Sequence, residues 1–333
     1  MMVRAALLCI LLSFSLSAQT TIIRLGTLVP KGSRWHEILL NMGEEWKKAS
    51  GGKIELKIYP GGEQGDEPEM VQKLRIKTLQ AVALSGAGLS GIDPDVAALQ
   101  VPMMLSSYEE LDYVRDRISD RLEKGLAQRG FIVLNWGDAG WIHFFTKQPA
   151  TRPDDIRRMK LCVLQGDTAT FQLYKINGFL PVSLAATDIL TGLQTGLIDA
   201  FQAPPLVALG NQWFGGAKNM LDIQFAQLVG ATVISKDVWD KIPAPVQKEM
   251  LASARTAGVA LREEIRKSEA GSIPLMQQFG LNVVHADPKA VAEWRQLAEG
   301  IWPKLRGGAV PPDLFDEVKR LRDDYRKTHH VAQ

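Results

Sequence analysis

The feature that most constrains the fold is a repeated change of hydrophobic period along the chain. Short segments with the two-residue period of a strand alternate with longer segments in which apolar residues recur every three or four positions, as in helices. Ile54, Leu56 and Ile58 alternate with charged residues, while Trp35 and Trp46 lie on one stripe of the preceding helix. This alternation predicts an α/β fold, and 333 residues are enough for two domains.

The N-terminus is typical of a secretory signal peptide. Arg4 precedes an apolar run over residues 5–12, and small residues follow up to Ala18. We expect cleavage after residue 18, within one or two residues, so that residues 1–18 are a signal peptide. The alternative is a retained membrane anchor, but the run is shorter than the roughly 20 residues of a spanning helix.

The remaining chain is predicted to form two lobes, because its connections are short and it lacks a flexible Gly/Ser linker. We expect lobe I over residues 19–145, with part of 231–275 returning to it, and lobe II over residues 146–230. Residues 276–333 are expected to form C-terminal helices that pack across the lobes.

Composition narrows the class of function. The formal net charge is +2 with no long basic or acidic run, so nothing indicates a nucleic-acid partner. After loss of the signal peptide, Cys162 would be the one cysteine of the chain, and no internal disulfide could form. Both points fit a protein of the Gram-negative periplasm with a large core.

One glycine motif raises the question of a nucleotide. Residues 86–91 match G-x-G-x-x-G and follow a strand, but the dinucleotide fingerprint also requires a helix to open at the glycines. Asp93, Pro94 and Asp95 follow instead. We therefore interpret the glycines as a place where the backbone approaches another group closely.

Catalytic motifs are absent from the sequence. No G-x-S-x-G, H-E-x-x-H or C-x-x-C occurs. His143 lies between Ile142 and Phe144 in a predicted strand, without an acid or nucleophile at motif spacing, as expected of a buried structural histidine. We expect a non-enzyme without metal or cofactor, and an exported enzyme on the same scaffold is the alternative.

Five stretches, in this order, resemble the DctP-type solute receptors of TRAP (tripartite ATP-independent periplasmic) transporters. They are residues 33–35 (SRW), 59–65 (YPGGEQG) with 69–70 (EM), 101–104 (VPMM) with 108–109 (YE), 153–160 (PDDIRRMK) and 193–199 (LQTGLID). The resemblance covers nearly all of the chain after the signal peptide. It implies a two-lobed periplasmic binding protein with a central ligand cleft between the lobes, and delivery of a small molecule to TRAP membrane permease subunits. It implies neither catalysis nor a cofactor.

The sequence departs from this family at the ligand contacts. Most members clamp a ligand carboxylate with an arginine, and the aligned residue here is Cys162. Other polar contacts align with Leu28, Ile142 and Ala203, and the contact loop over residues 85–88 carries no charge. A buried carboxylate without a cation costs several kcal/mol, whereas burying roughly 300 Å² of apolar surface contributes about 7 kcal/mol. We therefore expect a hydrophobic or neutral organic ligand.

The predicted site combines aromatic walls with a few polar contacts. The predicted ligand-binding residues are Leu28, Trp35, Ser85, Gly86, Ala87, Gly88, Trp136, Trp141, Ile142, Cys162, Leu164, Phe201, Gln202, Ala203, Trp213 and Phe214. Asn135 and Gln212, together with Ser85 and Gln202, are candidate hydrogen-bonding partners. Cys162 is expected to be a small apolar lining residue, with a reactive thiol as the alternative.

Two further functions stay open at this point. The ligand could be an organic acid held by a non-standard cation, for which Arg34 and Lys147 are candidates. The chain could also be an interaction protein that has lost solute binding, because some receptors of this family work with a soluble TPR-repeat partner.

Overall fold

The computed structural model describes residues 20–330. The strands are β1 (Thr21–Thr27), β2 (Ile54–Tyr59), β3 (Ala81–Ser85), β4 (Phe131–Thr146), β5 (Lys160–Leu164), β6 (Leu180–Leu184), β7 (Ala200–Ala203), β8 (Asn219–Ser235) and β9 (Asn282–Val284). The helices are α1 (Arg34–Ala49), α2 (Glu67–Arg75), α3 (Gly86–Ser90), α4 (Tyr108–Gln128), α5 (Pro153–Arg157), α6 (Thr168–Ile176), α7 (Ile189–Thr195), α8 (Pro205–Gly210), α9 (Lys236–Trp239), α10 (Ala244–Gln278), α11 (Pro288–Leu305) and α12 (Pro312–His329). Short 3-10 segments cover Pro94–Gln100, Ala186–Asp188 and Trp213–Gly215. The expected signal peptide lies outside the described residues.

The strands form one mixed sheet in the order β2-β1-β3-β8-β4-β7-β5-β6, with β9 paired to β8. Strands β4 and β8 are 16 and 17 residues long and pair antiparallel along their whole length. The half of β8 that ends at Ser235 pairs with β3, while the half that begins at Asn219 pairs with β9. Because both long strands belong to both halves of the sheet, we propose that the polypeptide passes from one lobe to the other within β4 and within β8.

The half of the sheet that contains β1, β2 and β3 packs against an apolar core on each of its two faces. On one face, Ile23 and Leu25 pack with Trp46 of α1 and Met250 of α10, and the Trp46 indole nitrogen donates to the Met250 carbonyl at 3.1 Å. The opposite face packs against α4 and α12, with Val82 among its buried strand residues. The side-chain alternation of each strand decides which residues face which helices.

The α/β alternation is confirmed, with differences in strand extent. Residues 131–136 and 141–146 are predicted as two strands, but β4 runs through both. Its register against β8 shifts between Asp138 and Gly140, and Gly140 has a φ of +109°, which a glycine adopts without strain. The prediction also lacks β6, β9 and the part of β8 that precedes Val233. Within residues 20–330, no helix combines the length and apolar character needed to cross a membrane.

Candidate functional site

A cavity of about 780 Å³ lies where the two halves of the sheet meet. Its lining includes Ser85 at the end of β3, Cys162 on β5 and Gln202 on β7, together with residues 225–226 and 228–232 of β8. The cavity volume lies within the range of roughly 300–1,000 Å³ that is usual for small-molecule sites. Strand ends and the two long crossing strands therefore enclose space for one small organic molecule.

Cys162 lies in this cavity as part of an apolar cluster. The residue is 3% exposed and belongs to a core with Phe145, Phe201 and Trp213. Burial, with a smaller contribution from the charge of Asp66, raises the pKa of the Cys162 thiol to about 12. The thiol is therefore protonated at neutral pH and has the character of a small hydrophobic group rather than a nucleophile.

The positions at which the resemblance expects polar contacts come together in space. Leu28, Ile142 and Ala203 line the same cavity as Cys162. The resemblance aligns each of them with a polar or charged contact of the family, and these aligned positions lie in one place. This part of the lining carries no charge that could hold a carboxylate.

Most of the predicted ligand-binding residues lie in the lining, and their contact with a ligand stays a prediction. The residues that line the cavity are Leu28, Trp35, Ser85, Ala87, Ile142, Cys162, Leu164, Gln202, Ala203 and Trp213. The predicted residues outside the lining are Gly86, Gly88, Trp136, Trp141, Phe201 and Phe214. Of the other two candidate hydrogen-bonding residues, Asn135 lines the cavity and Gln212 does not.

Two tryptophans that were predicted to line the cavity, Trp136 and Trp141, pack elsewhere in the protein. Trp136 is buried in the core against α4, and its indole nitrogen donates to Glu123 at 3.0 Å. The ring of Trp141 packs 5.9 Å from that of Tyr108. Both tryptophans belong to β4, but neither lines the cavity.

Phe201 and Phe214 were also predicted to line the cavity, but they lie one layer behind the lining. Phe201 stacks on Phe145 with ring centroids 4.8 Å apart and meets Trp213 edge-on at 5.6 Å. Phe214 is buried in the same cluster. Both phenylalanines therefore stand behind Trp213, and Trp213 is the aromatic residue of this cluster that reaches the cavity.

The glycine loop does open a helix, contrary to the expectation from sequence. Helix α3 begins at Gly86, but a carboxylate occupies its start: Glu67 accepts from the backbone and hydroxyl of Ser85 and from the Gly88 nitrogen at 3.1 Å. A Cβ at Gly88 would lie 2.8 Å from Glu67, so the glycine allows this close approach, as interpreted. Sequence reasoning missed Glu67, because no local pattern links it to residues 18 and 21 positions away.

Glu67 is also a buried titratable group of the lining. Burial raises the pKa of its carboxyl, while the hydrogen bonds from Ser85 and Gly88 act in the opposite direction. The same bonds use the acceptor capacity of Glu67 and the hydroxyl of Ser85. Ser85 is therefore already paired within the protein.

Two polar side chains of the lining have an amide nitrogen without a partner among the described residues. The Tyr174 hydroxyl donates to Oε1 of Gln202 at 2.6 Å, which leaves the Gln202 amide nitrogen as the donor toward a ligand. Asn135 is 5% exposed, and its amide nitrogen has no hydrogen-bond partner among residues 20–330. Such groups fix the orientation of a molecule in a largely apolar pocket.

Charge in the described lining is mostly acidic. The acidic residues are Glu67, Asp138, Asp167 and Glu264, and Arg34 is the basic residue. Asp138 is neutralised by Arg115 at 2.8 Å and Arg266 at 2.7 Å. Arg34 pairs with Glu37 at 2.8 Å and keeps 60% of its side chain exposed.

The remaining candidate cations and metal ligands lie elsewhere. Lys147 is 3.9 Å from Asp199 and does not line the cavity. His143 is buried, and its Nδ1 is 3.2 Å from the carbonyl of Leu221. Within residues 20–330 no group of three or more acidic, histidine or cysteine side chains has the arrangement of a metal site.

A two-lobed α/β fold with a ligand-sized cavity between its halves defines the class of solute-binding proteins that bind one small molecule. Residues 25–307 match the family model for bacterial extracellular solute-binding protein, family 7 (DctP). This match spans more than half of the chain, so the chain belongs to that family, and the predicted resemblance and two-lobed fold are confirmed.

Curated and solved relatives extend this comparison. The chain is 23% identical over 310 residues to the 2,3-diketo-L-gulonate-binding periplasmic protein YiaO of Escherichia coli, covering 92% of this chain and 94% of that protein. It superposes with a TM-score of 0.82 on a TRAP periplasmic solute-binding protein of Citrobacter koseri with bound D-glucuronate, at 24% identity, covering 90% of this chain and 99% of that one. For the sugar acid-binding protein of Advenella mimigardefordensis in complex with galactonate, the TM-score is 0.86 at 18% identity, covering 92% and 99%.

Proposed function

We propose that this chain is the periplasmic receptor of a TRAP-type transporter and that its ligand is a hydrophobic or neutral organic molecule. On this proposal the lobes close on the ligand, and the receptor delivers it to membrane permease subunits without chemical change. The family membership supports the receptor role. The observation that carries the ligand class is Cys162, a buried uncharged residue of the lining, which the resemblance aligns with the family's arginine clamp.

The electrostatics of the cavity support an uncharged ligand. Arg34, the basic residue of the described lining, is mostly exposed and already paired with Glu37. A carboxylate placed beside Cys162 would lose its hydration without gaining a cation, at a cost of several kcal/mol. Asp138 is neutralised by Arg115 and Arg266, and the other acidic residues of the lining, Glu67, Asp167 and Glu264, supply no cation.

The shape and chemistry of the lining favour an apolar body. Leu28, Ile142, Leu164 and Trp213 supply apolar surface around Cys162. Burial of roughly 300 Å² of ligand surface would contribute about 7 kcal/mol before the cost of association. A micromolar complex needs about 8 kcal/mol net, so hydrogen bonds such as that from Gln202 add to the apolar contribution.

One observation favours a second candidate ligand, an organic acid. The two solved relatives described above carry D-glucuronate and galactonate, and Arg34 reaches the lining. On this alternative, Arg34 would leave Glu37 and bind the carboxylate from the α1 side of the cavity. Loss of acid binding in an Arg34→Ala variant would identify that arrangement.

The decisive experiment is native mass spectrometry of the protein purified from the periplasm, followed by solvent extraction. We expect an uncharged apolar molecule that is released on denaturation. A co-purified sugar acid would overturn the ligand class. D-glucuronate, added to ligand-free protein, is expected to leave Tm unchanged, whereas the uncharged fluorophore N-phenyl-1-naphthylamine is expected to raise it.

The TPR-repeat partner stays a prediction. It would be supported if the protein, isolated from its own periplasm under mild conditions, carried such a partner in place of a small molecule. Purification of a monomer with a bound small molecule would favour the transporter receptor alone.

A further inference from the structure

One part of the cavity lining, which we call the arm, is formed by the sheet and the helices α1 and α10. It includes Trp35 and Leu39 on α1, Leu261 and Ile265 on α10, and Ala83, Thr232 and Asn135 on three neighbouring strands. Thr232 pairs with Ala83 on β3 and with Asn135 on β4, so the three side chains lie side by side. The apolar side chains of α1 and α10 face two polar groups of the sheet, and Arg34, Glu264 and Ser268 of the same helices also line the cavity.

A β-bulge turns Asn135 into this arm. Val133 pairs with Val233 and Asn135 with Thr232, so β4 contains one residue more than β8 over this step. Regular alternation would place Asn135 on the face of Val133, in the core against α4. Instead its Cβ lies beside Gly258 of α10, where an added Cβ would be 2.7 Å away. Bulges of this kind re-aim a side chain, and they are common beside functional sites.

In this orientation the Asn135 amide lacks a hydrogen-bond partner within the described protein, which is unfavourable unless a ligand binds it. The residue is 5% exposed, and its amide nitrogen has no partner among the described residues. Buried polar groups in folded proteins are nearly always hydrogen-bonded, so an amide that the protein leaves unpaired in a cavity wall is available to a ligand through the atom that faces the cavity. Rotation about the last side-chain bond exchanges the amide oxygen and nitrogen, so the nitrogen can face the cavity.

Thr232 provides a second polar group at the same place. It is 2% exposed and lies directly opposite Asn135 in the strand register. A hydroxyl can donate or accept. An amide and a hydroxyl at adjacent positions can therefore bind one ligand oxygen together, without any charge.

We propose that Asn135 and Thr232 anchor a terminal carbonyl or hydroxyl oxygen of the ligand at the end of this arm. The inference rests on the proposed function, and it narrows the ligand class to an elongated, uncharged molecule with an apolar body and one oxygen at its end. The body occupies the apolar wall of α1 and α10 and extends toward Cys162 and Trp213 in the cleft. Molecules of this class without such an oxygen bind more weakly.

Two uncharged fluorophores test the anchor in the full chain. Prodan has a naphthalene body with a terminal ketone, and N-phenyl-1-naphthylamine has a comparable aromatic body without oxygen. We expect Asn135→Leu to weaken Prodan binding about tenfold, the effect of one lost hydrogen bond, and to shift bound Prodan emission to the blue. The affinity for N-phenyl-1-naphthylamine should stay the same or increase.

If Asn135→Leu does not fold, Thr232→Val tests the same anchor, because valine has the shape of threonine but lacks its hydroxyl. We expect it to weaken Prodan selectively by a few-fold. Equal changes for both probes, or none, in the folded variant would overturn the anchor and leave the apolar receptor intact. Failure of both probes to bind the wild-type protein would overturn the proposed ligand class and the anchor with it.

Discussion

A hydrogen bond between Asp66 and Ala186 joins the start of α2 to the 3-10 segment Ala186–Asp188, whose Ala186 lines the cavity. Oδ2 of Asp66 accepts the backbone N–H of Ala186 at 3.0 Å, while its Oδ1 caps α2 at the Glu67 nitrogen, 2.9 Å away. The residues are 120 positions apart, and the hydrogen bond is buried. One carboxylate therefore both caps a helix and holds a buried contact between distant segments of the chain.

Asp66→Asn is expected to separate these two roles. Asparagine caps helices as well as aspartate does, but it has one side-chain oxygen where aspartate has two. If that oxygen caps the helix, the amide nitrogen faces the Ala186 N–H, and if it accepts from Ala186, the cap is lost. We expect a three- to tenfold weaker affinity for N-phenyl-1-naphthylamine, about the effect of one charge-assisted hydrogen bond. Fluorescence titration measures the change.

The matched control for this prediction is Asp287→Asn. Asp287 caps α11 by accepting from the Ala290 nitrogen at 2.7 Å, and it does not line the cavity. The control should bind the probe as the wild type does. A similar loss in both variants would assign the effect to helix capping rather than to the contact with Ala186.

Cys162→Arg tests whether residue 162 faces the ligand. An arginine there would bury a charge without a partner, at a cost of several kcal/mol. We expect binding of an apolar probe to fall by at least tenfold and Tm to decrease. Cys162→Ala, which keeps the site uncharged and small, should change both quantities little, and an unchanged affinity in Cys162→Arg would show that residue 162 does not contact the ligand.

The raised pKa of Cys162, about 12, predicts an unreactive thiol. Only the thiolate reacts with disulfide reagents at a useful rate. We expect the folded protein to give almost no reaction with Ellman's reagent at pH 8, and rapid reaction of one thiol per mature chain in denaturant. Fast labelling of the native protein would revive the reactive-thiol alternative.

His143 gives the protein a predictable dependence on pH. Burial lowers the pKa of its imidazole below the ordinary value, which is about 6.5 in the unfolded chain. The unfolded state therefore binds the proton more readily, and this contribution to stability is lost as pH falls from about 6.5 through the lowered pKa. His143→Asn retains a donor near the Leu221 carbonyl without titrating.

Urea unfolding of the wild type and His143→Asn at several pH values tests this sign. The free energy of unfolding of the wild type should fall relative to that of the variant between pH 7 and pH 5. A constant difference would mean that His143 keeps its ordinary pKa in the folded state.

Close packing of α10 on β4 predicts opposite effects for two glycines of the same helix. A Cβ at Gly258 would lie 2.7 Å from Cβ of Asn135 and 2.9 Å from the Trp136 carbonyl oxygen. Gly258→Ala should therefore destabilise the protein by about 1–3 kcal/mol, as overpacking does. At Gly271 no atom lies within 4 Å of an added Cβ, so Gly271→Ala should be neutral or stabilising by up to about 1 kcal/mol. Thermal unfolding distinguishes the two.

Much of the architecture followed from local pattern. The alternation around Ile54, Leu56 and Ile58 predicted β2, and Ser33 was recognisable as the cap of α1, where its hydroxyl oxygen accepts from the His36 nitrogen. Helix periodicity and capping act over a few residues, so the sequence displays them directly. The direction of Trp136 and Trp141 could not be predicted in this way, because strand pairing and register set it.

The sequence by itself determined the α/β class, the family resemblance and the uncharged residue at position 162. Only the tertiary structure decided which side chains share the cavity. Glu67 meets Ser85 and Gly88 through a contact distant in sequence, and Asn135 turns toward α10 because of one extra residue in β4. A strand shifted by one residue exchanges its faces. The composition of the site therefore depends on pairing between distant segments.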